Sequence, residues 1–480
     1  MENFTEDVFF STVASLNQRL RAGEFSAVEL ARAFAARLEK IGPQLNALAH
    51  SLRSVGLRKA KDVDDELKRK RFRGPLQGVP YGVKDLLSVA GHPTAWGAKP
   101  FSRQRFDYDA TVVRKLNKAG AVLLGKLAMI ELAGAGGHRY ANASLTGATL
   151  NPWDPTRWAG GSSSGSAAAV AAGLTPFAIA SETWGSILKP CASCGVTGLR
   201  PTYGYVSRAG AMAMSWTMDK IGPICRSAED CGLVLQVISG GDSDDPSSAG
   251  KSYYYAPQYA RSFKELKLGF APADFEAWPE EICRAPLREG LEALRSILPA
   301  CVETRLPDFP YDAVAGTIIT AEAATVFEPL ISSGRIAELA DRRQIASLKA
   351  GLEISAKDYL QAMRIRALIQ QSLRKLFTDI DILVSPSMFR IAPKITEPLD
   401  RRRRQGSRPQ DRGLHDLTTA GNLAGLPALS LPCGFAGGMP VAIQLVGRPF
   451  SENTLLAVGT EFQRRTDWHL RRPGSSQGNT

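Results

Sequence analysis

The chain of 480 residues is long enough to bury a large core, and its 44% apolar and 22% charged residues lie near the globular mean, which excludes disordered, collagen-like and disulfide-stapled classes. The net charge of +12 is confined to three stretches: residues 52–73 carry nine basic and four acidic side chains, 401–412 six and one, and 463–472 four and one, leaving the remainder at −1. None of the three interleaves bases with repeated aromatics, so they read as solvated faces and a loop, and no nucleic-acid partner is expected.

In chain order, the acidic opening residues lack a basic segment followed by an apolar run, so no secretory leader is expected. Ser26 with Glu29 three residues on is a capping-box pattern, and Leu30, Phe34, Leu38 and Ile41 recur at helical spacing until Gly42-Pro43. A basic helical stretch near 57–71 precedes an apolar strand over 78–83 that delivers Lys84 at its end. A helix over 110–119 and a strand over 121–124 continue a βαβ rhythm. Residues 151–185 run from a Pro-rich turn through a Gly/Ser cluster and an Ala-rich helix to a second Ser-containing turn. Beyond a loosened segment at 240–255, the best candidate for an insertion point, the pattern predicts a strand at 266–270 and a helix carrying Ile282, Leu287, Leu291, Leu294 and Ile297 on one side. Helices are predicted over 312–379, a buried strand at 381–386, a loop over 391–413, two strands at 427–432 and 440–446, and a last helix capped by Ser451.

The seven cysteines are odd in number and scattered, so a disulfide framework is not expected. Cys191 and Cys194 form a CxxC with no second pair, and the five histidines share no ligand spacing, so no metal is expected. No segment reaches the roughly 18 apolar residues of a membrane span. A cytoplasmic enzyme or binding protein is the expectation.

The chemistry is concentrated where Gly160-Gly161-Ser162-Ser163-Ser164-Gly165-Ser166 runs into an Ala-rich helix. Such a loop collects backbone N–H groups that can receive an anion or hold a hydroxyl. A flexible linker would not lead straight into a strong helix, and a P-loop would carry Lys where Ser166 stands. A catalytic serine loop is the remaining reading. It gains from Ser181-Glu182-Thr183-Trp184-Gly185-Ser186-Ile187, where a serine behind a glycine in a tight turn presents its hydroxyl beside consecutive N–H groups.

With the words Gly78-Val79-Pro80-Tyr81-Gly82-Val83-Lys84-Asp85, Asn151-Pro152-Trp153-Asp154-Pro155, Gly198-Leu199-Arg200-Pro201-Thr202, Ser215 through Pro223 and Asn422-Leu423-Ala424-Gly425-Leu426-Pro427-Ala428, the chain closely resembles the amidase signature family of Ser-Ser-Lys hydrolases over most of its length. The resemblance implies one large α/β domain with a central mixed sheet covered by helices on both faces. Within it, residues 1–60 would be a helical N-terminal region, 61–240 the catalytic core, 241–473 the rest of the core with substrate-side segments, and 474–480 a tail without fixed structure.

The resemblance further implies that Ser186 is the nucleophile, Ser162 the bridging serine at a cis peptide, and Lys84 the base. The backbone N–H groups of Thr183, Trp184, Gly185 and Ser186 would form the oxyanion hole, with Ser163 and Gly161 in support. Met129, Trp184 and Asp416 would lie toward the substrate. A free lysine is neutral in only about one molecule in two thousand at pH 7, so Lys84 must be depressed by burial. Three positions depart from the family pattern: Glu182 where Asp is common, Trp184 where Gly is common, and Leu188 followed by Lys189 where an Arg is frequent at 188. Trp184 either narrows the acyl site or turns into the core.

The activity implied is hydrolysis of a small-molecule carboxylic amide to acid and ammonia or amine, without a cofactor, by a possible homodimer. The alternatives are a glutaminase resembling the A subunit of a tRNA-dependent amidotransferase and a non-catalytic binding subunit of the same fold. Arg342, Arg343 and Asp416 stand near the family's glutamine-gripping positions but out of register. With the words Ser355-Ala356-Lys357-Asp358-Tyr359-Leu360 and Thr466-Asp467-Trp468-His469, this favours a stand-alone amidase. If the charge has a role, the 401–412 loop is where it would influence which amides enter.

Overall fold

Ser26 caps the helix Ala27–Ile41 as its pattern predicts. Its hydroxyl accepts from the Glu29 N–H at 3.1 Å, and the Glu29 carboxylate accepts from the Ser26 N–H at 2.7 Å. A second cap is long-range: Asp230 accepts from the N–H groups of Val13 and Ala14 and fastens the N-terminal helix Val13–Ala22 to the middle of the chain. The computed structural model describes residues 4–400 and 412–474. Residues 401–411, which fall within the 391–413 loop and make up nearly all of the 401–412 basic stretch, and residues 475–480 of the tail therefore lie outside the described residues.

Eleven strands among the described residues form one mixed sheet. They are β1 (Leu48–Ser51), β2 (Pro80–Lys84), β3 (Val122–Leu127), β4 (Phe177–Glu182), β5 (Thr197–Arg200), β6 (Lys220–Cys225), β7 (Lys267–Phe270), β8 (Ala300–Glu303), β9 (Ile382–Pro386), β10 (Ala428–Ala436) and β11 (Met439–Gly447). Their order across the sheet is β1-β3-β2-β4-β6-β5-β10-β11-β9-β7-β8. β2 runs parallel to both β3 and β4, whereas β4 pairs antiparallel with β6 and β10 antiparallel with β5 and β11. Parallel neighbours need crossover connections, which the helices Thr111–Lys118 and Ser164–Ala171 help to supply.

The loosened segment at 240–255 therefore divides nothing: β1–β6 precede it, β7–β11 follow it, and the two halves join where Leu199 pairs with Leu429. Helices flank the sheet, and one continuous apolar cluster runs from Val8 to Phe462, so the N-terminal helices share the core. A small separate cluster of Ile130, Ala141 and Trp158 is partly covered by Ile395 and Leu399. The expected helical run over 312–379 is real but segmented, into Tyr311–Val326, Glu328–Ser332, Arg342–Gly351 and Ala356–Asp379 with a short 3₁₀ turn between the second and third. Among the described residues no helix is long and apolar enough to cross a membrane.

Candidate active site

β2 and β4 lie side by side and parallel, with Val83 opposite Ile179, so their carboxyl ends open on the same edge of the sheet. Open α/β sheets place their ligands there. β2 ends on Lys84 and β4 ends on Glu182, with the 183–186 turn directly after it. The Gly/Ser loop reaches the same edge just before the helix Ser164–Ala171.

Lys84 is fully buried, and its ammonium donates to the Ser162 hydroxyl at 2.7 Å and to the Ser181 hydroxyl at 2.9 Å. Burial disfavours its charged form, the attraction of Asp219 and Glu182 opposes this only in part, and the pKa falls to about 7. The Gly161–Ser162 peptide is cis, as the resemblance implies. Gly161 is required by close approach, because a Cβ there would sit 2.6 Å from the Trp158 ring. Ser163 ties the two serine segments together: its hydroxyl donates to the Ser181 carbonyl at 3.1 Å and its N–H to the Ser186 carbonyl at 3.4 Å. Ser186 is half-buried and open to solvent. Among the described residues its hydroxyl makes no hydrogen bond, so its link to Ser162 is not closed in this structure.

The turn is held from below by Glu182. One carboxylate oxygen accepts from Arg200 and from Asn422, each at 2.8 Å, and the other accepts from the N–H groups of Ile187 and Leu188 at 2.8 and 3.0 Å. Burial alone would raise this carboxyl, but the Arg200 guanidinium and these hydrogen bonds bring its pKa to about 2. From the side, Asp219 accepts from the Thr183 hydroxyl at 2.5 Å and from the N–H groups of Met214 and Ser215. Gly185 takes φ +93°, a left-handed conformation that suits glycine. Thus constrained, Trp184, Gly185 and Ser186 present N–H groups that have no acceptor among the described residues. Preorganised donors of this kind receive an oxyanion.

The three departures have structural consequences. Glu182 reaches Arg200, Asn422 and the start of the helix Leu188–Cys194 at once. Trp184 neither fills the turn nor disappears into the core: it is half-buried, and its indole N–H donates to the Thr419 hydroxyl at 2.7 Å, which in turn donates to Asp312 at 3.0 Å. Leu188 is buried while Lys189 is exposed.

Of the residues expected toward the substrate, Met129 is fully buried in the main core, packed against Gly97, and so lines no open surface. Asp416 stands at the start of the helix Leu417–Ala424, where Arg412 lies at 3.4 Å. Arg343 is engaged by Asp400 at 2.5 Å. Sequence reasoning assigned no role to Ser181, Asp219, Arg200 or Asn422. Arg200, Asp219 and Asn422 stood inside family words and Ser181 opened the second serine-containing turn, but no local pattern gave any of them a role.

The Amidase family model matches residues 29–456. The A subunit of the glutamyl-tRNA(Gln) amidotransferase of Chloroflexus aggregans is 37% identical over 97% of this chain and 99% of its own. Among solved structures, the native peptide amidase of Stenotrophomonas maltophilia superposes with a TM-score of 0.82 at 29% identity, covering 96% of this chain and 98% of its own. A chain from a vestigial protein complex that reveals the origins of an s-triazine catabolic enzyme does so with 0.86 at 29% identity, covering 95% and 98%.

Proposed function

The chain belongs to the amidase family and is a hydrolase of amide C–N bonds, and from that premise we propose that it releases ammonia from a primary amide through an acyl-enzyme on Ser186, in the manner of a glutaminase resembling the amidotransferase A subunits. The observation that carries the chemistry is the buried Lys84 ammonium 2.7 Å from Ser162, with its pKa lowered to about 7. Neutral Lys84 takes the Ser162 proton as Ser162 takes that of Ser186, and Ser186 attacks the amide carbonyl. The oxyanion rests on the N–H groups of the 183–186 turn. The proton returns through Ser162 to the departing nitrogen, the C–N bond breaks, and water then cleaves the acyl ester to release the acid and restore Ser186.

The sequence words favoured a stand-alone amidase, whereas the near full-length likeness to amidotransferase A subunits favours the glutaminase reading and a multi-subunit setting. The stand-alone reading keeps one specific support: Arg343 and Asp416, near the family's glutamine-gripping positions, already face Asp400 and Arg412. Ammonia release from glutamine, measured on the chain alone and with candidate partner proteins, separates the two. Activity that appears or rises steeply with partners supports the amidotransferase reading. Full activity on simple primary amides, with none on glutamine in either setting, overturns it.

A further inference from the structure

A cleft of about 520 Å³ lies between the helix Ala356–Asp379, the end of the helix Leu417–Ala424 and the residues directly after β11. Its lining is largely apolar: Phe377 and Leu426, both nearly buried, are joined there by Ala424 and Pro449. Two cationic residues, Arg374 and Arg448, line the same cleft. Lys84, Ser162 and Ser186 do not.

Both arginines are exposed, and among the described residues neither has a carboxylate within ion-pair distance. Their supports are nevertheless fixed. Arg374 folds back along its own helix, where its Nε donates at 3.3 Å to the carbonyl of Gln370, one turn earlier and itself part of the lining. The chain just after Arg448 is pinned, because the Phe450 N–H donates to the Thr202 hydroxyl at 2.8 Å and the Glu452 carboxylate accepts from the Thr202 N–H at 2.7 Å. A concave, mostly apolar recess of this size with a few convergent polar groups has the form of a small-molecule site. Guanidinium donors match carboxylates through charge-assisted hydrogen bonds.

One wall of the cleft also supports the nucleophile turn. Ala424 and Leu426 flank Gly425, which ends the helix Leu417–Ala424 at φ +68°. Two residues before Ala424, Asn422 donates to Glu182 at 2.8 Å. The Leu426 carbonyl accepts from the Arg200 Nε at 3.0 Å, and Arg200 in turn donates to Glu182. From the opposite side, the Leu423 carbonyl accepts from Arg366 at 2.7 Å and from Gln370 at 3.4 Å, so the helix that carries Arg374 grips the same short segment. A ligand seated on Leu426 therefore rests on a residue one hydrogen bond from Arg200, and Arg200 and Glu182 together hold the turn that carries Ser186.

We propose that this cleft is an effector site for an amphipathic monocarboxylate, an alkyl or aryl acid, whose carboxylate lies between Arg374 and Arg448 and whose apolar body lies on Phe377 and Leu426. Occupancy fixes the segment 422–426, and with it the Glu182–Arg200 pair, and so preorganises the turn and speeds the reaction of Ser186. A small inorganic anion lacks the apolar body, and a neutral alcohol lacks the charge. The effector role rests on the amidohydrolase reading, whereas the binding does not.

The test titrates phenylbutyrate into the full chain by calorimetry, with phenylbutanol and acetate as controls, and follows labelling of Ser186 by a neutral fluorophosphonate in the presence and absence of each. The wild type should bind phenylbutyrate, and should still bind it after Ser186 has been labelled, which separates the cleft from the active site. Arg374→Gln and Arg448→Gln should each weaken binding by about tenfold. Lys375→Gln, at an exposed neighbour that does not line the cleft, should leave it unchanged. Saturating phenylbutyrate should raise the wild-type labelling rate about fivefold. That gain should vanish in Arg374→Gln and Arg448→Gln, whose labelling without ligand matches the wild type. Absence of binding, binding lost once Ser186 is labelled, binding untouched by both arginine substitutions, or equal binding of phenylbutanol overturns the site. Binding with an unchanged or lowered labelling rate overturns the effector role. A wild type whose Ser186 is never labelled overturns the amidohydrolase reading and the effector role with it, while the calorimetry still decides the site.

Discussion

Glu182 accepts from Arg200 at 2.8 Å with both side chains completely removed from solvent. A buried pair of this kind adds little net stability over an apolar substitute, yet breaking it strands the surviving charge. Here the stranded group would sit directly beneath the turn that carries Ser186. Glu182→Gln keeps the shape but places an amide N–H₂ against other donors, whether Arg200 and Asn422 or the N–H groups of Ile187 and Leu188. The expected loss is about 3–5 kcal/mol in urea denaturation, with slower fluorophosphonate labelling of Ser186. Glu182→Asp keeps the charge and should lose less.

The same carboxylate sets an acid limit. Its folded-state pKa of about 2 lies below the ordinary value of 4.5, so its contribution is complete above about pH 4.5 and is lost as the pH falls toward 2. The urea midpoint of the wild type should fall between pH 5 and pH 3. In Glu182→Gln that portion of the fall should be absent, and an identical slope in both proteins would contradict the assignment.

Lys84 makes stability rise with pH as well, in a higher window, and gives activity a pH dependence of its own. Its pKa is depressed from 10.5 to about 7, so between those values the unfolded chain binds a proton that the folded chain has released. Stability from this group therefore rises with pH across that window. The proposed mechanism requires the neutral amine, so kcat/KM should increase through an acid limb near pH 7 and fall about tenfold per unit below it. Lys84→Ala should remove the limb and lower turnover by about 10²–10⁴-fold.

Much of this arrangement was legible in the sequence, and the remainder was hidden for identifiable reasons. The helix starting at Ser26 and the strands holding 78–83, 381–386 and 440–446 follow from periodicity and punctuation alone. β4 and β6 escaped because Ser181, Glu182 and Lys220 interrupt their apolar runs at the ends that face the site. The triad was carried by resemblance to a family, since spacing cannot reveal that Lys84 and Ser162, 78 residues apart, meet at 2.7 Å. The supports Asp219, Arg200 and Asn422 converge on the turn from the residue preceding β6, from β5 and from the helix Leu417–Ala424, a meeting set by sheet order rather than by any local pattern.

The proposed mechanism makes Lys84 and Ser162 one proton path, so their removals should not add. Lys84→Ala, Ser162→Ala and the double variant are expected to show turnover losses within about tenfold of one another, in keeping with groups that act as a unit. Stopped-flow or discontinuous ammonia assays on the three proteins decide this. A double variant whose loss equals the product of the single losses would mean that the two residues act independently.

Gly185 tests whether backbone conformation or side-chain room matters more at the turn. At φ +93° any L-residue is strained, and a new Cβ would meet Lys189 Cε at 2.7 Å and Cδ at 2.9 Å. The lysine can move, since these atoms belong to a flexible side chain, but the backbone preference cannot be relieved in that way. Gly185→Ala should cost about 1–3 kcal/mol of stability and, by re-aiming the N–H groups of Gly185 and Ser186, about 10²–10³-fold in kcat. Adding Lys189→Ala removes the collision and leaves the φ requirement in place. The double variant should therefore recover part of the stability and little of the kcat measured against Lys189→Ala alone. Recovery of kcat to the level of Lys189→Ala would show instead that the collision with Lys189, and not the left-handed turn, is what glycine is needed for at this position.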